Sequence, residues 1–149
     1  MKLVKAAEAM ELVGLTRSQL REWTGRGRRH LIVPDVEADG PGKHALYAWQ
    51  TLLVLRLLLA LQTHFAAEVG AWASAGRDLR RRLDYVAFSQ LWGSSAFFPS
   101  PDAVLLIDRS VAQDRAGVIL PLDPHLTALA EKLVVSRPIQ MSLFQIEAA

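Results

Sequence analysis

Two short amphipathic segments separated by a glycine open the chain. Between residues 4 and 13 the apolar side chains recur at helical spacing, which predicts a helix with one buried face. Gly14 follows, and a glycine just past a helix supplies the left-handed residue that ends it. Thr16 and Gln19 have the spacing of a capping box and predict a second helix over residues 17–23. The side chains expected to pack the two helices together are Ala6, Ala7, Leu15 and Leu20.

Turn-forming residues dominate the stretch from 24 to 45. Residues 31–33 favour a strand, whereas Pro34 and residues 39–42 mark turns, so we expect a short hairpin-like wing. A third helix is predicted over residues 48–64. Its apolar side chains run nearly all round, so other elements must cover it on most sides. Its most hydrophobic part, residues 52–61, carries Arg56 and is shorter than the roughly 20 apolar residues that a membrane span needs.

The second half of the chain changes character. Residues 65–92 are helical in type, with breaks expected at Gly70 and Gly76. Residues 103–108 and 117–122 are strand-like, and residues 124–133 predict a helix with Asp123 as its N-cap. The predicted fold class is mainly α (α+β). It comprises a winged helix-turn-helix (1–65), a helical connector (66–98), a small αβ dimerisation or effector piece (99–135) and a tail (136–149).

The amino-acid composition excludes several classes of protein. Hydrophobic residues make up 51% of the 149 residues, which is enough for a core and argues against wholesale disorder. The 17 basic and 15 acidic residues nearly balance, so the positions of the arginines must carry any argument for nucleic acid. There is no cysteine, which excludes disulfides and thiolate metal sites and fits a reducing cytoplasm. We expect a cytoplasmic protein, because Glu8 and Glu11 interrupt any signal-peptide core.

Candidate chemistry is sparse. The four histidines are scattered without the spacing of metal ligands, so we expect neither a metal nor another cofactor. No phosphate-binding glycine loop, nucleophile elbow, zinc-protease motif or acidic cluster occurs in the sequence. We therefore do not expect an enzyme.

The order of residues after the first turn is more specific. It runs Thr16, Arg17, Leu20-Arg21, Trp23, Gly27, Ile32-Val33-Pro34, and then Tyr47 before an apolar helix. This order resembles the MerR-like winged helix-turn-helix DNA-binding domain over roughly the first 65 residues. The resemblance implies that the second helix enters the major groove of double-stranded DNA, with Thr16, Arg17 and Ser18 at base edges and Arg21 on phosphate. Trp23 is interpreted as a core residue, and Tyr47 as either a DNA contact or a core residue.

The wing departs from that family. An arginine usually precedes the tyrosine, whereas here Ala45 and Leu46 do. The nearest basic residues, Lys43 and His44, are the candidate DNA contacts of the wing. The loop residues Arg26, Arg28, Arg29 and His30 are more basic than the family pattern, so phosphate contact is predicted to shift to this loop. A solvated loop without DNA contact is the alternative. The arginines at positions 77 and 80–82 have the same two interpretations, a solvated face or a second nucleic-acid surface.

The αβ piece suggests a homodimer. Two strands alone are not stable in water and need further strands or a helix to cover them. Pairing across a twofold axis would supply that cover and would match a palindromic operator.

The tail contains a second short motif. Gln140, Met141, Ser142, Leu143 and Phe144 resemble the bacterial sliding-clamp-binding pentapeptide. The resemblance implies that Leu143 and Phe144 enter an apolar pocket while Gln140 forms hydrogen bonds beside it. The alternative is a β-type tail that packs on its own domain.

Three functional hypotheses follow. The leading one is a sequence-specific DNA-binding transcriptional regulator of MerR-like type, dimeric and without a membrane partner. The second is a replication-linked adaptor, an inhibitor or a toxin–antitoxin component that binds the sliding clamp through its tail. The third is a protein-interaction module that uses the winged fold without DNA.

Overall fold

The computed structural model describes residues 2–25, 31–40, 42–110 and 116–133. Its α-helices are α1 Ala6–Val13, α2 Arg17–Thr24, α3 Trp49–Phe65, α4 Ala73–Leu83 and α5 Asp123–Leu133. Its strands are β1 Val4–Lys5, β2 Leu46–Tyr47, β3 Ser94–Ser100, β4 Ala103–Asp108 and β5 Val118–Pro121. Single turns of 3₁₀ helix lie at Val69–Trp72 and Phe88–Leu91. The fold is mixed, with helices and two small sheets.

Helix α3 lies at the centre of the molecule. It contacts α1, α4 and α5, and ten of its seventeen residues are buried, in agreement with the predicted need for cover on most sides. The buried apolar side chains form one continuous cluster that runs from Val4 to Leu133. The amino-terminal helices and the carboxyl-terminal sheet and helix therefore share a core. Within the described residues, no helix is both long and apolar enough to cross a membrane.

The first sheet is small and lies beside α1 and α2. Strand β1 pairs antiparallel with β2, joining Val4 to Tyr47, and an isolated bridge joins Val36 to Leu46. The strand expected at residues 31–33 is absent from the described structure. Leu31 and Ile32 instead donate their backbone N–H groups to the carbonyl of Trp23 and are buried there. Burial beneath the end of α2 thus outweighs the strand preference of this run.

The second sheet has the order β4-β3-β5, with antiparallel neighbours. Strand β3 corrects the prediction of a helical connector over residues 66–98, because residues 94–98 of that range belong to the strand. Short apolar runs such as that around Phe97 do not distinguish a strand from a helix. Pro99 is tolerated because it follows the last β3–β5 pair, Phe98 with Val118, and lies at the irregularity opposite β4. Since β3 pairs with both predicted strands, they need no second copy of the chain to form a sheet.

Several local predictions are confirmed. Gly14 ends α1 with φ +89°, in the left-handed region. Helix α3 begins and ends within one residue of its predicted limits. Gly76, however, does not interrupt α4. A Cβ there would lie 3.4 Å from a methyl carbon of Leu58, which is about van der Waals contact, so α4 packs directly on α3 at this point.

Two expected roles change in the structure. Asp123 is the first residue of α5 rather than its N-cap, and its carboxylate accepts hydrogen bonds from the Gly93 N–H (2.8 Å) and from Arg109 (2.7 Å). Ala6 and Ala7 are exposed rather than packed between α1 and α2. Leu15 and Leu20 are buried as expected.

Candidate nucleic-acid interface

Helix α2 begins with a complete capping box. The Thr16 hydroxyl accepts a hydrogen bond from the Gln19 N–H at 3.1 Å, and the Thr16 N–H donates to Gln19 Oε1 at 2.9 Å. These two bonds satisfy backbone and side-chain groups that would otherwise be unpaired at the helix start. The sequence prediction for this helix is thereby confirmed, and the first turn of α2 is held in one geometry.

The two faces of α2 differ in polarity. Leu20 and Trp23 are buried, so Trp23 is a core residue, as interpreted from the sequence. Arg17, Ser18 and Arg21 lie on the exposed face. This separation, imposed by helical periodicity, displays the three predicted DNA-contacting side chains together.

The two arginines on this face have no charged partner among the described residues. Among the described residues, neither Arg17 nor Arg21 forms an ion pair or a side-chain hydrogen bond. Arg17 also stands in the first turn of α2, where the unpaired backbone N–H groups add partial positive charge. An anion that approaches this end of α2 therefore meets permanent positive charge on two guanidinium groups that bind no other described residue.

Two further predicted contacts lie on the connecting segment, which we define as the described residues between α2 and α3, 31–40 and 42–48. Lys43 and His44 are both exposed. The Lys43 N–H donates to the Gly40 carbonyl at 3.3 Å, and Gly40 and Gly42 have positive φ values of 99° and 78°. This turn returns the chain toward β2, and its basic side chains remain in solvent.

Tyr47 has a structural partner. Its side chain is 3% exposed, and its hydroxyl lies 3.2 Å from Thr24 Oγ1. The Thr24 hydroxyl donates its only hydrogen to the Leu20 carbonyl at 2.7 Å. Tyr47 must then be the donor to Thr24, since Thr24 has no second proton to give. This bond fixes the end of α2 against β2.

A hydrogen-bonded network that the sequence did not predict holds the connecting segment. One Asp35 carboxylate oxygen accepts from the Ala48 N–H at the start of α3, and the other accepts from Arg80 of α4, both at 2.6 Å. Arg80 also donates to Thr51 at 2.9 Å and to Asp84 at 2.6 Å. The partners of Asp35 stand 13 and 45 residues away, so no local pattern could have indicated this arrangement.

Two carboxylates stabilise the cation at the centre of this network. Burial alone would lower the pKa of Arg80, but the hydrogen bonds and charges of Asp35 and Asp84 outweigh burial and raise it. The Arg80 and Asp35 side chains are only 21% and 15% exposed. The pair is therefore shielded from solvent and restrains the connecting segment relative to α3 and α4.

The remaining arginines of α4 differ from those of α2. Arg81 and Arg82 both pair with Asp78, at 3.3 Å and 3.0 Å, and these bonds, that from Arg82 foremost, lower the pKa of Asp78. Arg77 is exposed. The charge of α4 is thus partly neutralised within the helix itself. That pairing does not distinguish a solvated face from a second nucleic-acid surface.

Other predicted site residues lie outside the described residues. They are Arg26, Arg28, Arg29 and His30 in the loop, and Gln140, Met141, Leu143 and Phe144 in the tail.

Within the described residues, no group of three or more His, Cys, Asp and Glu side chains is arranged to hold a metal ion. Comparison of the chain with protein-family models and with curated proteins gives no match in either case.

Proposed function

We propose that the chain is a sequence-specific DNA-binding transcriptional regulator, built on a winged helix-turn-helix of the MerR-like type and acting as a dimer. The observation that carries the proposal is the exposed face of α2. Arg17 and Arg21 lie there beside Ser18, on a helix fixed by a capping box, and neither arginine is paired with another described residue. Unpaired arginines on a rigid helix suit both base edges and phosphates.

The surroundings of α2 support the same use. The connecting segment presents Lys43 and His44 to solvent, and its path is restrained by Asp35, Arg80 and the β1–β2 pairing. A restrained segment that carries basic side chains beside a recognition helix suits a wing on the sugar–phosphate backbone. In this proposal Arg17 and Ser18 contact bases, while Arg21 and Lys43 contact phosphates.

Thr16 takes a different role in the proposal. Its oxygen already accepts a bond within the capping box, but its hydroxyl hydrogen remains available as a donor. Thr16 therefore orients α2 and is able to donate to one phosphate. Tyr47 orients the end of α2 through Thr24, so it acts on DNA only indirectly.

The test is selection of binding sequences from random duplex DNA with the full chain, followed by affinity measurement over a range of salt concentrations. The double variant Arg17→Ala/Arg21→Ala should lose about tenfold to a hundredfold or more in affinity, and the salt slope should fall by about one unit, because Arg21 supplies one phosphate contact. The matched control is Arg109→Ala/Lys132→Ala, which also removes two positive charges, but from side chains that pair with Asp123 and Glu11 and have no predicted role on DNA. Equal affinity of the α2 variant and the control would remove α2 as the recognition helix.

The dimer is tested separately. Sedimentation of the full chain, with and without the selected duplex, gives the number of copies bound. Selected sites that lack twofold symmetry, together with one copy bound per site, would contradict a dimeric regulator.

A further inference from the structure

A pocket of about 450 Å³ lies between α1, α2 and the connecting segment. It exists because the side chains that face it are small. Ala6 and Ala7 of α1 and Ala38 and Ala45 of the connecting segment carry only a Cβ, so they leave unfilled the space that larger residues would occupy. A volume of this size lies within the usual range for small-molecule sites.

The lining combines an apolar wall with a cationic rim. Met10, Leu20 and Pro34 extend the wall that the alanines begin. Arg17 and Arg21 line the same pocket, and neither is paired with a described residue. Glu37 also lines it, so among the described lining residues two guanidinium groups outnumber one carboxylate. A ligand with an apolar body and a single negative charge complements such a lining.

Two buried hydroxyl groups in the lining are hydrogen-bonded within the protein. Thr24 and Tyr47 both line the pocket. Because the Thr24 hydrogen is bonded to the Leu20 carbonyl, the Tyr47 hydroxyl donates to Thr24 and retains an oxygen lone pair. These two hydroxyl groups are thus fixed in direction and uncharged, as in sites that orient a mostly apolar molecule.

We infer that this pocket binds a small apolar carboxylate, such as a medium-chain fatty acid or an arylalkyl acid, with its carboxylate on Arg17 and Arg21. Since those arginines are the proposed DNA contacts, occupancy of the pocket competes with DNA and releases the chain from its operator. The release rests on the proposed function, whereas binding of the carboxylate does not.

Direct binding is tested by calorimetric titration of the full chain with octanoate, and with octanamide as its uncharged counterpart. Octanoate should bind at least about tenfold more tightly than octanamide, because a charge-assisted bond to a guanidinium is stronger than a neutral one. Arg17→Gln/Arg21→Gln should abolish that difference. Equal affinity of the two probes for the unaltered chain, or absence of binding by octanoate, overturns the inference.

Filling the pocket provides a second, independent test. Ala7→Leu from the α1 side and Ala45→Leu from the opposite side should each weaken octanoate about tenfold or more, since both variants extend a larger apolar side chain into the space that the ligand occupies. Ala71→Leu is the matched control, because Ala71 is exposed on the 3₁₀ turn before α4 and does not line the pocket. Using two filling variants guards against one that misfolds, which thermal unfolding will reveal. Undiminished binding in a folded filling variant places the ligand elsewhere and contradicts the site.

A competition experiment separates this inference from the proposed function. Octanoate, but not octanamide, should lower the affinity of the chain for its selected duplex. If octanoate binds and no duplex is ever selected, carboxylate binding in the pocket is supported and the DNA-binding proposal fails. If the duplex binds and octanoate does not, the inference of a carboxylate site is overturned while the DNA-binding proposal is not. Simultaneous binding of both ligands without mutual effect overturns the proposed release.

Discussion

At the residue scale, Arg56 and His125 form a partly buried polar contact between α3 and α5. Arg56, in the middle of α3, donates to the Leu12 carbonyl near the end of α1 and to His125 Nδ1 of α5 at 3.2 Å. It thereby satisfies a carbonyl that the end of α1 would leave unpaired. Burial lowers the pKa of Arg56, and burial, followed by the charges of Arg56 and His64, lowers the pKa of His125 to about 4. The histidine is therefore neutral and accepts from the arginine.

This contact predicts a pH dependence of stability. An unfolded histidine titrates near pH 6.5, whereas His125 in the folded chain titrates near 4, so between these values the unfolded state binds more protons. The contribution of His125 to the free energy of unfolding is thus complete above about pH 6.5. It falls as the pH drops toward 4, by roughly 1–3 kcal/mol after allowance for partial exposure.

Chemical denaturation of His125→Gln across that pH range checks the prediction. The glutamine oxygen still accepts from Arg56 but does not titrate, so the slope between pH 6.5 and 4 should be shallower than in the unaltered chain. His44→Gln is the control, because His44 is exposed and is not among the groups whose charges act on His125. If the two variants retain identical slopes, His125 is not the group responsible.

At the element scale, Asp35 joins three parts of the chain. It accepts from the N–H at the start of α3 and from Arg80 of α4, while belonging to the connecting segment between α2 and α3. The anionic carboxylate at the start of α3 is favourable in the positive field of a helix amino terminus. The position of the connecting segment beside α2 therefore depends on a tertiary contact.

Asp35→Ala should lower the free energy of unfolding by about 1–3 kcal/mol, because it leaves the shielded Arg80 guanidinium and the Ala48 N–H without their acceptor. Asp39→Ala, an exposed aspartate on the same segment, should change it by less than about 0.5 kcal/mol. Urea denaturation of both variants makes the comparison. Equal stability of the two would show that the network around Asp35 does not hold the segment.

At the scale of the whole molecule, α3 makes the two halves of the chain interdependent. Its buried residues contact α1 on one side and α4 and α5 on the others. Leu58, for example, packs against Gly76 of α4. The predicted boundary at residue 65 falls at the end of this helix, but the core cluster continues through the sheet and α5.

A fragment of residues 1–65 should therefore fail to unfold cooperatively, because the faces of α3 that contact α4 and α5 would be exposed to water. The full chain should show one calorimetric transition, with equal calorimetric and van't Hoff enthalpies. Calorimetry of both proteins under the same conditions is the measurement. A fragment that melts in a sharp transition within a few degrees of the full chain would instead establish residues 1–65 as an independent domain.

Local features could be predicted from the amino-acid pattern alone. The Thr16 capping box, the left-handed Gly14 and the length of α3 all follow from interactions within a few residues. Strand β3 and the buried state of Tyr47 depend on tertiary structure, since neighbouring strands and the end of α2 supply their partners. The Asp35–Arg80 pair and the pocket beside Arg17 arise for the same reason. They form between segments distant in sequence, where only the packed chain brings charge and small side chains together.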